Sequence, residues 1–174
     1  MVEVLKLFNC SVSTLFLSIK IMDYYFKCQT RPLHIEDLHV TGVVSMFIAS
    51  KYSDKTSLKM HSIYTKIGHQ ALPKAQIKRV EIEILRTINY SLCMPTVCDF
   101  LENFTEGVSQ EERDKAFLLA ELAQLDYYLA GVNSCKLARA IVFNTPQPLA
   151  GVIRSINLNG QSNYLASLKK YNII

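Results

Sequence analysis

The side chains that could carry out chemistry in this chain are its cysteines and histidines, and their spacing favours neither a metal site nor a nucleophile. The five cysteines form no C-x-x-C pair. The four histidines lack metal-ligand spacing with a cysteine or carboxylate. Most of the thiols lie in apolar surroundings, where burial raises the pKa and lowers reactivity. We therefore predict reduced, structural thiols and no metal site. These residues are Cys10, Cys28, Cys93, Cys98, Cys135, His34, His39, His61 and His69.

The glycines and serines do not form a phosphate-binding or nucleophilic motif either. The six glycines are scattered and match neither G-x-G-x-x-G nor G-x-x-x-x-G-K, and no G-x-S-x-G is present. We expect a protein that is not an enzyme and needs no cofactor. A binding surface is the remaining kind of function, and helical proteins commonly use a groove that receives a helix of a partner.

Composition indicates a soluble intracellular protein with one ordinary domain or two small ones. The 174 residues are 49% hydrophobic and 20% charged, which is enough apolar material for a core. No apolar stretch approaches the length of a membrane span. The net charge of +4 comes from dispersed cations, so we expect neither a nucleic-acid groove nor membrane binding.

The elements that would position a binding surface are helices. Leu15, Ile19, Met22 and Phe26 recur at helical spacing, and Ser13 could cap the start of their helix. Residues 36–52 are apolar on nearly every face with small residues between, which is typical of a central helix wrapped by others. Strand-like alternation is absent, so we predict an all-α fold. Further helices are expected over 58–67, 74–88, 96–104, 110–129, 134–143 and 162–171.

Three segments of the chain resemble the cyclin box in the same order and at similar spacing. They are LFLSIKIMDYYF (15–26), HVTGVVSMFIASKYSD (39–54) and IKRVEIEILRTINYSLCMPTVCDFLENF (77–104). The segment 118–143 is similar to the start of the second cyclin fold, closest to the mitotic A/B group. The resemblance implies a cyclin-like helical fold whose first unit, 1–104, has five helices around a central buried helix. A partial second unit, 105–174, would follow.

The resemblance further implies a non-catalytic subunit that binds and activates a cyclin-dependent protein kinase in cell-cycle control. In this family a lysine and a glutamate contact the kinase's movable helix, and they correspond to Lys51 and Glu81. Without the resemblance, Lys51 would be a cation favoured at a helix C-terminus and Glu81 an ordinary solvent-facing carboxylate. The implied apolar neighbours in the groove are Ile48, Tyr52, Leu85, Tyr90 and Leu92. Ala49 would have a structural role in the central helix.

The chain also departs from the family pattern. The family's M-R-x-x-L-x-x-W segment, which docks R-x-L substrate motifs, has no counterpart, and Glu3 is its one obvious remnant. We therefore expect this docking to be lost. The arginine that would pair with Asp23, a structural residue, is missing too, so Asp23 should be exposed or use Lys20 or Lys27. The second unit is short, and the chain is either a reduced cyclin or a fragment.

Two other functions remain open from the sequence. One is a cyclin-fold scaffold, or pseudo-cyclin, that binds a non-kinase partner or an inactive kinase. The other is a nucleic-acid-binding cyclin-fold protein of the general transcription factor type, against which the dispersed cations argue. The family resemblance implies a heterodimer with the kinase and a location in the nucleus and cytoplasm.

Overall fold

The computed structural model describes residues 1–30, 32, 34–68, 72–126, 129 and 131–143, and the regular elements in this part of the chain are all helices. No strand occurs among these residues, and the prediction of an all-α fold is confirmed. The predicted helix over 162–171 lies outside them. The helices are α1 (Val2–Leu7), α2 (Val12–Cys28), α3 (Ile35–Ser53), α4 (Met60–Ser62), α5 (Lys74–Thr87), α6 (Val97–Phe104), α7 (Gln110–Ala123) and α8 (Ser134–Val142).

The helix α4 continues directly into a π-helical turn, Ile63–Ile67. Gly68 N–H donates to the carbonyl of Ile63 at 2.7 Å, five residues back instead of the usual four. Both Ile63 and Ile67 are buried in the core of the first unit. The wide turn therefore accommodates one extra residue while both isoleucines still face inward.

The chain divides into two compact units, and the first covers Met1–Met94. Its centre is α3, which contacts α2, α5 and the π-helical turn. Every residue from Val40 to Ser50 is buried, and Ala49 has no exposed surface. This is the arrangement expected for a helix that is apolar all round, because the small side chains let the neighbouring helices approach closely.

The second unit begins at Pro95, and in its described part α6 packs against α7 and α8. Leu101, Leu122 and Ala138 are fully buried there. The compact unit that contains the central helix thus ends before α6, whereas we expected the domain boundary after it, at residue 104. The difference arises because the apolar face of α6 is buried against α8.

Two helix ends differ from the sequence predictions. The cap of α2 is Ser11 and not Ser13, since Ser11 is extended (φ −67°, ψ 157°) and its Oγ accepts from Thr14 N–H at 3.2 Å. The helix α7 begins as predicted, with a capping box of Ser109 and Glu112. It ends at Ala123, and not near residue 129. At its end the chain turns, and Leu129 N–H donates to Asp126 Oδ1 at 3.1 Å.

Candidate functional site

Lys51 and Glu81, which the sequence places on different helices, are in direct contact. Lys51 lies in the last turn of α3 and Glu81 in the middle of α5, and Lys51 Nζ forms an ion pair with Glu81 Oε1. The Lys51 side chain is 41% exposed and that of Glu81 only 15%. The description of Glu81 as an ordinary solvent-facing carboxylate is therefore wrong. The pair is already formed in the isolated chain.

A second interaction holds the Lys51 ammonium in place. Its Nζ lies 4.0 Å from the centroid of the Phe47 ring, one turn earlier in α3. Such a cation–π contact contributes about 0.5–1 kcal/mol at an exposed site. Phe47 is itself buried in the core. The charged end of Lys51 is thus fixed between a rigid ring and a carboxylate, and its geometry is set by the packing of α3 against α5.

Tyr52, next to Lys51, contacts the segment that follows α5. Negative charge on Cys93 disfavours the Tyr52 phenolate, and this raises the pKa of Tyr52, to which partial burial and a hydrogen bond between the two side chains add. Tyr52 is 54% exposed, and Cys93 is exposed as well. Cys93 was not among the predicted site residues. This side-chain contact places it beside Tyr52 at the end of α3.

The segment after α5 displays Tyr90 on an unusual backbone. Asn89 and Tyr90 both adopt positive φ, 52° and 55°. Tyr90 N–H donates to the carbonyl of Leu85 at 2.7 Å, which closes the end of the helix. For residues other than glycine this conformation costs about 1–2 kcal/mol each. Tyr90 is 62% exposed, while Leu92 and Leu85 are partly buried against the core.

Ile48 differs from the other apolar residues that we expect in the groove. It is 3% exposed and belongs to the core cluster of the first unit. Tyr52, which follows Lys51 in the chain, and Tyr90 are exposed, whereas Leu85 and Leu92 are partly buried. A direct contact between Ile48 and a partner stays a prediction.

Two residues that the sequence analysis missed, Ser50 and Asp54, hold the segment after Lys51 in place through hydrogen bonds. Leu58 N–H donates to Ser50 Oγ at 2.6 Å, and Ser11 N–H donates to Asp54 Oδ1 at 2.9 Å. Burial opposes the charge on Asp54, but hydrogen bonds from the Ser11 amide and from neighbouring side chains outweigh it and lower the pKa of Asp54. These contacts could not be predicted from a local sequence pattern, because the partners are not neighbours along the chain.

Asp54 also affects a neighbouring thiol. Burial, the negative charge of Asp54 and a hydrogen bond with it raise the pKa of Cys10 to about 11. Cys10 is therefore a thiol and not a thiolate at neutral pH, in agreement with the structural role predicted for it.

Asp23 and Glu3, which mark the departures from the family pattern, lie on α2 and α1. Asp23 is partly buried, and this burial raises its pKa, while the positive charge of Lys20 acts in the opposite direction. Lys20 lies three residues earlier on the same helix, and of the two lysines expected to serve Asp23 it is the one whose charge acts on that carboxyl group. Glu3 is exposed in the first turn of α1.

The part of the chain that the structure describes holds neither a metal cluster nor a membrane-spanning helix. No group of three or more histidine, cysteine, aspartate or glutamate side chains there could hold a metal ion. No helix there is both long and apolar enough to cross a bilayer. The feature that stands out is the surface formed by Lys51, Tyr52, Glu81, Leu85, Tyr90 and Leu92, which we call the α3–α5 face.

Comparison with known proteins shows which family this chain is similar to. The family model described as "Cyclin, N-terminal domain" matches residues 1–93. The chain is 32% identical over 142 residues to a G2/mitotic-specific cyclin-B of Marthasterias glacialis, which covers 80% of this chain and 36% of that protein. It is 28% identical over 166 residues to a G2/mitotic-specific cyclin-B2 of Oryzias luzonensis, covering 94% of this chain and 42% of the relative. The chain thus spans about two fifths of the length of these relatives.

Proposed function

Since the chain belongs to the cyclin family, we propose that it is a regulatory subunit that binds a cyclin-dependent protein kinase and activates it. Cyclins are non-catalytic regulatory subunits, and membership of the family implies a kinase-regulatory role. The finer proposal is that the α3–α5 face docks the movable helix of the kinase. A location in the nucleus and cytoplasm, suggested by the B-type relatives, belongs to the same proposal.

The observation that carries this proposal is the preformed pair of Lys51 and Glu81. The movable helix of a protein kinase bears a glutamate that must pair with the lysine of the ATP site, so a surface that holds this helix inward assembles the active site. Lys51 and Glu81 offer a donor and an acceptor side by side to such a helix. Because packing and the Phe47 ring already fix the pair, little side-chain freedom is lost on binding.

The two tyrosines supply the apolar part of the same contact. Tyr52 and Tyr90 are exposed, and large amphipathic rings of this kind contribute heavily to binding at protein interfaces. The strained backbone at Tyr90 supports a role in binding, since strain of this kind is retained where a side chain must be displayed.

The experiment is co-purification with a mitotic-type cyclin-dependent kinase, followed by phosphorylation of histone. We expect a stoichiometric, active complex that is lost in the double variant Lys51→Ala/Glu81→Ala. The matched control is Lys136→Ala/Glu106→Ala, which removes one cation and one anion from exposed positions of the second unit. Equal activity of both double variants would contradict the assignment of the site.

The same experiment separates the alternative function. Binding of the kinase without activity would mean that the chain is a scaffold or pseudo-cyclin, and the activation part of the proposal would be wrong. No binding by a folded, helical chain would contradict the proposal for this kinase.

A further inference from the structure

A second exposed face of α5 carries two arginines on either side of an isoleucine. Arg79, Ile82 and Arg86 follow one another at spacings of three and four, so their side chains lie on one side of the helix. Arg79 and Arg86 are exposed, and Ile82 is 48% exposed. We call these three residues the arginine face. It lies entirely within the first unit.

The arginine face is distinct from the α3–α5 face. At 3.6 residues per turn, Glu81 is rotated by about 140° from Arg86 and by about 160° from Arg79 around the axis of α5. Glu81 is turned towards Lys51 at the end of α3, so the arginines point to the other side of α5. The two faces therefore lie on different sides of α5.

The two guanidinium groups are available for binding. Within the described residues, neither the Arg79 nor the Arg86 guanidinium has a hydrogen-bond or ion-pair partner. Glu83 lies between them, but its carboxylate already accepts a hydrogen bond from the Tyr25 hydroxyl at 2.6 Å. Since Tyr25 is 1% exposed, this hydrogen bond turns the carboxylate towards α2. One acidic side chain, Glu83, is therefore present on this side of α5, between the two arginines along the helix.

The surface around Ile82 is a shallow, open depression formed by side chains of α5. A depression of about 440 Å³ is lined by Arg79, Ile82, Glu83, Arg86 and Thr87. An exposed isoleucine that lies between two exposed guanidinium groups along the helix matches a partner that has one apolar side chain between two anionic ones. Guanidinium groups bind carboxylates through paired, charge-assisted hydrogen bonds, and this gives the contact its specificity.

We propose that the arginine face is a docking site for an acidic amphipathic helix of a protein partner. The distance along α5 from Arg79 to Arg86 is about 10.5 Å, the rise of seven helical residues. A second helix lying antiparallel to α5 has the same rise. Acidic residues at positions i and i+7 and an apolar residue at i+4 would therefore meet Arg86, Arg79 and Ile82 together. The positive charge of the two arginines favours an acidic partner. The depression around Ile82 favours an apolar residue between the acidic ones.

The test uses the full chain and a synthetic helical peptide. The peptide is based on alanine and glutamine, is about 20 residues long so that it forms a helix in isolation, and carries glutamate at i and i+7 and leucine at i+4. Its dissociation constant is measured by fluorescence anisotropy. We expect Arg79→Gln/Arg86→Gln to weaken binding by at least roughly tenfold, since two charge-assisted contacts are removed.

Two matched controls separate specific docking from general attraction of charge. The variant Lys136→Gln/Arg139→Gln removes the same charge from exposed positions of α8 and should bind the peptide normally. A peptide with the leucine replaced by alanine should bind at least roughly fivefold more weakly, because the apolar contact is worth about 1 kcal/mol. Equal weakening by both double variants, indifference to the leucine, or no binding at millimolar peptide would overturn the proposal.

This inference does not rest on the proposed kinase regulation, and the two can fail separately. Peptide binding is measured on the chain alone, whereas kinase binding is measured in the complex. We expect Lys51→Ala/Glu81→Ala to leave the affinity for the peptide unchanged. Loss of peptide binding in that variant would mean that the two faces are one site, which would contradict the inference.

Discussion

The Asp54 carboxylate accepts a hydrogen bond from the backbone N–H of Ser11, 43 residues earlier in the chain. Ser11 is also the cap of α2, so one short contact joins the end of α3 to the start of α2. The residues that precede Asp54 include Lys51 and Tyr52 of the α3–α5 face. The orientation of the α3–α5 face is therefore coupled to the start of α2, which lies much earlier in the chain.

The first prediction concerns the stability of this contact. We expect Asp54→Ala to lower the free energy of unfolding by about 1–2 kcal/mol, because the Ser11 amide loses a charged acceptor. Chemical denaturation followed by circular dichroism measures the change. The matched control is Glu3→Ala, an exposed carboxylate of the same unit, which should change stability by less than about 0.5 kcal/mol.

The same contact predicts a dependence on pH. The pKa of Asp54 is lower in the folded chain than its ordinary value of 3.8, so its contribution to stability is fully present above that value. The contribution is lost as the pH falls through the folded pKa. We expect the stability difference between the wild-type chain and Asp54→Asn to shrink below about pH 4. A difference that stays constant down to about pH 2 would contradict this account.

The second prediction concerns Glu81. We expect Glu81→Ala to weaken kinase binding by more than about 1 kcal/mol, since it removes a charge-assisted contact at a helix groove. Thermal stability should change little, because a partly exposed ion pair contributes less than about 1 kcal/mol. Calorimetric titration with the kinase measures the affinity, with Glu106→Ala as the control. An unchanged dissociation constant would remove Glu81 from the site.

The third prediction concerns the strained turn after α5. Asn89 has a φ of 52°, which a β-branched residue tolerates poorly. We expect Asn89→Val to lower the unfolding free energy by at least about 1 kcal/mol, whereas Ser91→Val, at an exposed neighbour outside the positive-φ pair, should have little effect. Urea denaturation of the two variants measures their unfolding free energies and tests this difference. Equal stabilities would mean that the turn stores no strain.

The fourth prediction ranks the thiols by reactivity. Cys93 is exposed, Cys98 is buried, and the pKa of Cys10 is raised to about 11. At about pH 8 a thiol reagent should therefore modify Cys93 first, and Cys10 should react slowly although it is not fully buried. Mass spectrometry of peptides after timed labelling measures the order. Replacing Cys93 by serine should remove the fast phase, and faster labelling of Cys10 would contradict the ranking.

The sequence predicted those features that depend on local pattern. The central helix α3 was recognisable because residues that are apolar on every side of a helix have to be buried. The start of α7 was recognisable because the capping box of Ser109 and Glu112 is contained within four residues. The family resemblance placed Lys51 and Glu81 in one binding surface, but their direct contact with each other was not predicted.

The features that the sequence did not predict depend on distant partners. Ser11 and Ser13 are equivalent as caps by local criteria, and it is Asp54 that favours Ser11, by binding its amide. The burial of Ile48 agrees with the apolar character of α3 on every side, whereas the family resemblance implied a position in the groove for it. The proximity of Cys93 to Tyr52 likewise depends on how the segment after α5 folds back.

The π-helical turn Ile63–Ile67 has a consequence for comparing this chain with its relatives. A turn closed over five residues holds one residue more than an ordinary helical turn. Where a relative has a regular helix at this place, the two sequences will be in register on both sides only if a gap of one residue is opened inside the turn. Without that gap, equivalent positions before Ile63 or after Ile67 would be offset by one, and roles transferred between them would fall on the wrong side of the helix.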